Sequence, residues 1–399
     1  MKSTVSRGLA VGAAALLATG VVAGCGSSSG GSASGTGNGG NGGSSGASSV
    51  KLAYVGALTG PNAQLGINIE QGAQLAIDQY NATNPKVRIV LKKYDTQGDP
   101  NQAQNLAPQV VKDGVAGVVG PAFSGESLKA DPVFEQGQVP NVSPSATNDT
   151  LQKQGWKFWH RVLANDDVQG PGVADYIVKK LQAHKVAVID DASDYGKGLA
   201  DIVAKTIKKD GSSVVDREEI DPKASDYSST VNKIKAANPD AVFYGGYYAE
   251  AAKFVKQLRD AGVNAKFVSG DGSLDQKLIA DGGPASEGAY LSCTCVLATA
   301  SDDPTVQKFI NDYKAKFNSL PATYTAEGYD AATAFIKAVQ AGKTKATDIN
   351  AYLGTEDFQG VSKHIKWQSN GELAGGSVYI HKVENGKIVA LGDYQSAGT

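Results

Sequence analysis

From Val50 to Thr399 the chain alternates between two hydrophobic periods, and this alternation restricts its fold more than any other feature. Short apolar runs bounded by turn residues predict buried strands at Lys51–Ala57, Val87–Tyr94, Val115–Gly120, Val139–Ser143, Lys185–Asp190, Ala241–Gly246 and Ala265–Gly270. Between them, apolar residues recur at helical spacing. Examples are Ala73, Ala76, Ile77 and Tyr80, then Ala103, Leu106, Ala107, Val110 and Val111. The same spacing joins Val173 to Leu181, Leu199 to Ile207, Ala251 to Leu258, Val306 to Tyr313 and Tyr329 to Ile336. Strand and helix in alternation predict an α/β protein whose parallel sheets are covered on both faces. At about 350 residues the pattern is too long for one doubly wound sheet, so two such lobes are expected.

In open α/β sheets a ligand lies beyond the carboxyl ends of the strands. That rule singles out the turns Ala57–Asn62, Gly120–Gly125, Ser143–Asn148, Asp190–Gly196, Gly245–Tyr248 and Gly270–Ser273. They are rich in Ser, Thr, Asp, Tyr and Gly, a composition that ordinary turns share.

The glycine content is high, 48 residues, because part of it is concentrated before the folded body. Lys2 and Arg7 precede an uncharged run from Gly8 to Ala23, which is too short and too poor in large apolar residues for a good membrane span. The run ends in Val22-Ala23-Gly24-Cys25, which is similar to the bacterial lipobox, so residues 1–24 are expected to be a lipoprotein signal peptide and Cys25 the lipidated residue. Gly26 to Ser49 contains only Gly, Ser, Ala, Asn and Thr. With nothing to bury, residues 25–49 are expected to form a flexible tether reaching about 27 Å. Within it, Gly37-x-Gly39-x-x-Gly42 and Gly42-x-Ser44-x-Gly46 mimic nucleotide and hydrolase motifs, but neither follows a strand or opens a helix.

No catalytic constellation can be assembled. His160, His184, His364 and His381 are scattered, with no partner at metal-ligand spacing. The pairs Asp166-Asp167 and Asp190-Asp191 suit capping and turn roles better than acid–base chemistry, because chain neighbours point apart. Cys293-x-Cys295 sits on a strand predicted over Ala289–Val296, which places both side chains on one face. A local disulfide and two buried thiols are both open readings. No metal and no cofactor is expected. Lys and Arg number 38 against 40 Asp and Glu, a balance that excludes a surface built to track nucleic acid.

The turns chosen by strand topology also carry a family resemblance, running from about Val50 to about Val389. Val55-Gly56-Ala57-Leu58-Thr59-Gly60-Pro61, with Gly66 and Gly72-Ala73, resembles the first strand, loop and helix of the leucine/isoleucine/valine-binding proteins of ABC importers. Tyr94-Asp95 with Asp99-Pro100, Ser143-Pro144-Ser145-Ala146-Thr147-Asn148, and Arg161 with Asp166, Gln169 and Gly170 resemble later blocks of that family. Phe243-Tyr244-Gly245-Gly246-Tyr247-Tyr248-Ala249-Glu250 is the most specific match. The resemblance implies a type I periplasmic-binding-protein fold of two doubly wound parallel-sheet lobes joined by three crossovers. It divides the chain at residues 50–165 with 298–375 for the first lobe and 166–297 with 376–399 for the second.

The same resemblance implies the binding residues. Ser124 and Thr147 match positions that hold a ligand carboxylate, and Ser145 matches one whose carbonyl meets the ammonium group, with Ala146 between them in the loop. Asp271 matches the acidic partner of the ammonium. Tyr195 and Tyr247 match second-lobe residues that close over the ligand, and Leu65 and Tyr324 match the lining of the side-chain pocket. The family's leucine-binding members often carry an aromatic where Leu65 stands and commonly Glu where Asp271 stands. Its first-lobe cysteine pair is replaced by Gly98 and Phe123.

The implied protein is an extracytoplasmic monomer, lipid-anchored to the membrane and working with a membrane permease. It binds leucine, isoleucine, valine or another aliphatic amino acid and transforms nothing chemically. An amide, urea or aromatic acid as ligand is the alternative within the same fold, a ligand sensor is another, and an enzyme ranks last.

Overall fold

The computed structural model describes residues 48–399. The signal segment, Cys25 and nearly all of the Gly/Ser tether lie outside the described residues, while Ser48 and Ser49, expected in the tether, open the first strand.

In chain order the first part contains β1 (Ser48–Gly56), α1 (Ala63–Ala82), β2 (Val87–Asp95), α2 (Pro100–Lys112), β3 (Gly117–Val119), α3 (Ser124–Gln136), β4 (Asn141–Ser143) and β5 (Trp159–Arg161). There follow α4 (Asp166–Asp175), β6 (Lys185–Asp190), α5 (Asp194–Lys209), β7 (Ser213–Glu219), α6 (Ser228–Ala237), β8 (Ala241–Gly245), α7 (Tyr248–Asp260), β9 (Lys266–Ser269), α8 (Gln276–Gly282) and β10 (Tyr290–Cys293). The chain ends with α9 (Pro304–Phe317), α10 (Thr325–Gln340), α11 (Ala346–Leu353), β11 (Asp357–Gln359), β12 (His364–Lys366), β13 (Tyr379–Glu384) and β14 (Lys387–Asp393).

One sheet has the order β2-β1-β3-β4-β5 and is parallel throughout. The other has the order β14-β13-β10-β9-β8-β6-β7; it is parallel from β10 to β7, and β13 and β14 add an antiparallel edge. A small β11–β12 hairpin stands apart.

Successive strand residues point to opposite faces, and here each face has its own core. Leu52 and Tyr54 of β1 join Ile69 and Ala73 of α1 and Phe335 of α10. Ala53 and Val55 join Ala103, Ala107 and Val110 of α2 and Phe134 of α3. In the second sheet, Ala187 and Ile189 of β6 pack with Phe254 and Val255 of α7. Val186 and Val188 pack with Val173 and Ile177, at α4 and its continuation, and with Leu199 and Val203 of α5. Such two-sided burial is why these strands read as continuous apolar runs.

In each sheet the strand order reverses beside its first strand in chain order. β1 lies between β2 and β3, and β6 lies between β7 and β8. The crevices at these reversals open at the turns after β1 and β3 and after β6 and β8. The chain passes between the sheets three times: after β5, after β10 and before β13.

The strand at Lys185–Asp190 has the bounds expected from sequence, whereas β10 stops at Cys293 instead of running to Val296. Thr294 therefore leaves strand geometry and donates its hydroxyl to Ala164 O at 2.9 Å, within another crossover. Cys293 and Cys295, both fully buried, are joined in a disulfide with Cα atoms 5.1 Å apart. The disulfide is thus the reading, of the two left open, that the structure adopts.

Candidate ligand-binding cleft

The turn after β4 is held from behind before it presents anything to a ligand. Arg161, fully buried at the end of β5, donates from Nη1 to Ala146 O at 2.9 Å and to Asn148 O at 3.0 Å. Its Nε donates to Glu372 Oε1 at 2.8 Å, so the guanidinium is charge-paired as well as hydrogen-bonded. Ser143 Oγ donates to Pro121 O at 2.7 Å, and the Ser145 hydroxyl donates to Ala122 O. Ser124, the first residue of α3, accepts the Asn148 N–H on its Oγ at 3.2 Å. The loops after β3 and β4 are therefore one rigid unit. Ser124, Ser145, Ala146 and Thr147 are all buried in it. Backbone N–H groups at the start of α3 and the hydroxyls of Ser124 and Thr147 form a surface suited to an anion. The Thr147 hydroxyl has no hydrogen-bond partner.

Asp271 sits in a short turn after β9 and is fully buried. It is surrounded by donors: Tyr195 O–H at 2.5 Å and Gln169 Nε2 at 3.3 Å on Oδ1, and Tyr324 O–H at 2.7 Å on Oδ2. Burial raises its pKa, and the three donors oppose that shift. Burial, followed by the charge of Asp271, holds both tyrosine hydroxyls protonated and far above their usual range, so they remain donors. Tyr195 also accepts Gly272 N–H at 3.0 Å. Tyr324 has φ 66°, a left-handed backbone uncommon for a bulky residue, at the entry to α10. Tyr195 and Tyr324 come from different lobes, so the network around Asp271 bridges the cleft. Tyr247 packs against Tyr195 with ring centroids 5.2 Å apart and planes inclined by 45°. Leu65 is fully buried in the same apolar cluster as Tyr324 and Phe123.

Sequence reasoning missed Asp166. Its sequence context predicts a capping or turn role like that of its neighbour, but its side chain takes neither. Asp167 is half exposed, whereas Asp166 is fully buried at the start of α4 and neither carboxylate oxygen has a hydrogen-bond partner. Its pKa is raised, first by burial and then by the charge of Asp271, while the Thr147 hydroxyl that faces it and the charge of Arg161 pull it down. Asp166 N–H donates to Thr147 O at 2.9 Å, which locks the acid to the anion-binding loop. Gln169, one turn on, spends its amide N–H on Asp271 and Ser292 and leaves Oε1 unpartnered. The available signal is an acid two residues after the apolar run Val162-Leu163-Ala164, all buried here. The pair Asp190-Asp191 takes the expected turn role, accepting Ala192 N–H and Ser193 N–H.

Hydrogen bonds cross between the lobes and close the cleft. Asn148 Nδ2 donates to Asp194 O at 2.6 Å, Asn62 Nδ2 to Glu250 Oε2 at 3.2 Å, and Gln64 N to Tyr248 Oη at 3.2 Å. Outside the buried residues lies a cavity of about 480 Å³, walled by the turns after β1, β2 and β3 and by those after β6 and β8. Among the described residues no group of His, Cys, Asp and Glu is placed to hold a metal, and no helix is long and apolar enough to cross a membrane.

A periplasmic-binding-protein architecture is matched at every level of comparison. The family model for periplasmic binding proteins matches residues 49–387. The leucine/isoleucine/valine-binding protein homolog 3 of Brucella melitensis biotype 1 is 32% identical over 349 residues, 86% of this chain and 93% of the relative. The solved leucine-binding protein LivK of Thermotoga maritima superposes with a TM-score of 0.80 at 30% identity, covering 86% of this chain and 98% of that one. The branched-chain amino acid substrate-binding protein LivJ of Streptococcus pneumoniae, solved with isoleucine, gives 0.79 at 28% identity, covering 86% and 99%. With its two doubly wound lobes, three crossovers and cleft at the strand ends, the chain belongs to the type I periplasmic binding proteins of the leucine/isoleucine/valine-binding family.

Proposed function

We propose that the chain is the extracytoplasmic substrate-binding component of an ABC importer and that it closes on a zwitterionic aliphatic amino acid. The carboxylate would lie at Ser124 and Thr147, with the start of α3 beneath it. The ammonium group would lie between Ser145 O, Asp271 and Asp166, and Leu65 with Tyr324, Tyr195 and Tyr247 would enclose the side chain. The observation that carries this reading is the pair of buried carboxylates, of which Asp166 has no donor of its own. Burying an unpaired acid is unfavourable, and a ligand that brings N–H donors and positive charge relieves it. An aromatic acid without a cation would leave Asp166 unmet, so it fits less well. An amide brings donors but no charge and ranks between them.

The lobes are taken as residues 50–165 with 298–375 and 166–297 with 376–399, rotating about the three crossovers as the cleft closes. The closed surface is what a membrane permease would meet. Lipidation of Cys25 would keep a monomeric body at the membrane on its Gly/Ser tether. Calorimetry of the body beginning at Ser48 tests the ligand, using leucine, isoleucine, valine, alanine, 4-methylpentanoate, benzoate and urea. The aliphatic amino acids should bind, and 4-methylpentanoate, leucine without its amino group, should bind about 100-fold more weakly. Failure of every aliphatic amino acid to bind overturns the reading. Mass spectrometry of the exported protein tests the lipid on Cys25.

A further inference from the structure

At the cleft mouth stands an aromatic residue, Phe123, that the binding chemistry does not use. Phe123 precedes α3 and is pinned by its backbone, donating its N–H to Glu126 Oε2 at 2.9 Å; Glu126 in turn accepts the Thr96 hydroxyl. The Phe123 ring lies against Gly98, whose φ of +76° suits a residue without a side chain. A Cβ on Gly98 would sit 3.2 Å from the ring, so its absence makes room for the ring. On its other side the ring meets Tyr247, with centroids 4.7 Å apart and planes inclined by 40°. Tyr247 continues the contact to Tyr195 at 5.2 Å, and Tyr195 holds Asp271. Phe123 and Tyr247 therefore begin a chain of contacts from the wall of the outer cavity to the buried acid.

Phe123 follows β3 of the first sheet and Tyr247 follows β8 of the second, so the contact exists only when the lobes are together. We infer that Phe123 is a closure latch, a positioning residue that acts on ligands through Tyr247. By adding stability to the closed state alone, it slows ligand release without choosing among ligands. This inference rests on the cleft being the ligand site, and it says which residue governs how long the cleft stays shut.

Stopped-flow release and calorimetry of Phe123→Ala with leucine, isoleucine and valine test it, with Phe123→Tyr as the conservative variant. Phe123→Ala should speed release about 10-fold for every bound amino acid and raise Kd by the same factor. Association should change by less than about 2-fold, and Phe123→Tyr should restore slow release. Unchanged release, or a loss confined to one ligand, overturns the latch. A second measurement needs no ligand. Spin labels replacing the exposed Lys129 on α3 and Lys205 on α5 report the gap between the lobes. Phe123→Ala should shrink the short-distance population of the unliganded protein, and an unchanged distribution overturns the latch. Absence of amino acid binding in the parent protein would instead count against the ligand reading, leaving the distance comparison to decide the latch.

Discussion

Asp271 and Asp166 are neighbouring acids, both without solvent exposure, yet their surroundings are opposite. Asp271 receives two tyrosine hydroxyls and a glutamine amide. Asp166 has no hydrogen bond of good geometry on either oxygen, only the Thr147 hydroxyl facing it, and feels the negative charge of Asp271. A carboxylate with three donors is already organised, and it orients what touches it. One with none is held in an unfavourable state by the surrounding fold, of the kind that a bound cation would relieve. The difference separates a residue that shapes the site from one that waits for its ligand.

Replacing each acid by its amide should separate the two most widely in binding. Asp166→Asn removes a charge that only the Thr147 hydroxyl and the more distant Arg161 offset, and should weaken leucine about 100-fold, or about 3 kcal/mol. Asp271→Asn leaves the tyrosines some hydrogen-bonding capacity and should weaken leucine about 10-fold. Neither should change the weak binding of 4-methylpentanoate by more than about 2-fold, because that ligand has no ammonium to lose. Calorimetry on the two variants decides it. Equal losses for leucine would erase the distinction, and a larger loss at Asp271 would reverse it.

Stability of the unliganded protein should move the other way. Asp166→Asn relieves a buried, unpartnered acid beside a like charge, and at pH 8 it should raise the unfolding free energy by about 1–2 kcal/mol. Asp271→Asn disrupts hydrogen bonds to two buried tyrosines and should lower it by about 1–2 kcal/mol. Urea titration checks both. A destabilising Asp166→Asn would mean that the acid is held by structure alone.

The same contrast explains what was legible in the chain. Strands such as Lys185–Asp190 were readable because both faces bury apolar residues, and the amphipathic α5 because one face does. Helix α3 was not, although it begins at Ser124. Its inward face carries Ser124, Glu126, Ser127 and Asp131, so the apolar period that announces a helix is absent where the site is built. β7 and β14 lie at the sheet edges, half buried or exposed, and give no continuous apolar run. Most of the candidate site came from the family resemblance, while Asp166 was hidden by sharing its type and neighbourhood with the exposed Asp167. Sequence spacing does not say which of two adjacent acids turns inward.

Glu126 supplies a buried acid between these extremes, and with it a smaller effect. It is fully buried, accepts the Thr96 hydroxyl and the Phe123 N–H, and has its pKa pushed up to about 7, mainly by burial. Its donors oppose the shift without cancelling it. An acid whose pKa is higher folded than unfolded binds more protons in the native state between the two values. Its stabilising share is therefore complete below the unfolded value near 4.5 and is lost as pH rises through about 7. Asp191, also pushed up to about 7 by burial, acts in the same sense. From pH 6 to 7, Glu126 alone should remove about 1 kcal/mol of unfolding free energy. Glu126→Gln does not titrate, so urea titrations at pH 6 and 7 should show a decline smaller by that amount. An identical decline in both proteins would mean that the donors hold Glu126 ionised throughout, placing it with Asp271 and leaving Asp166 as the acid in need of a ligand.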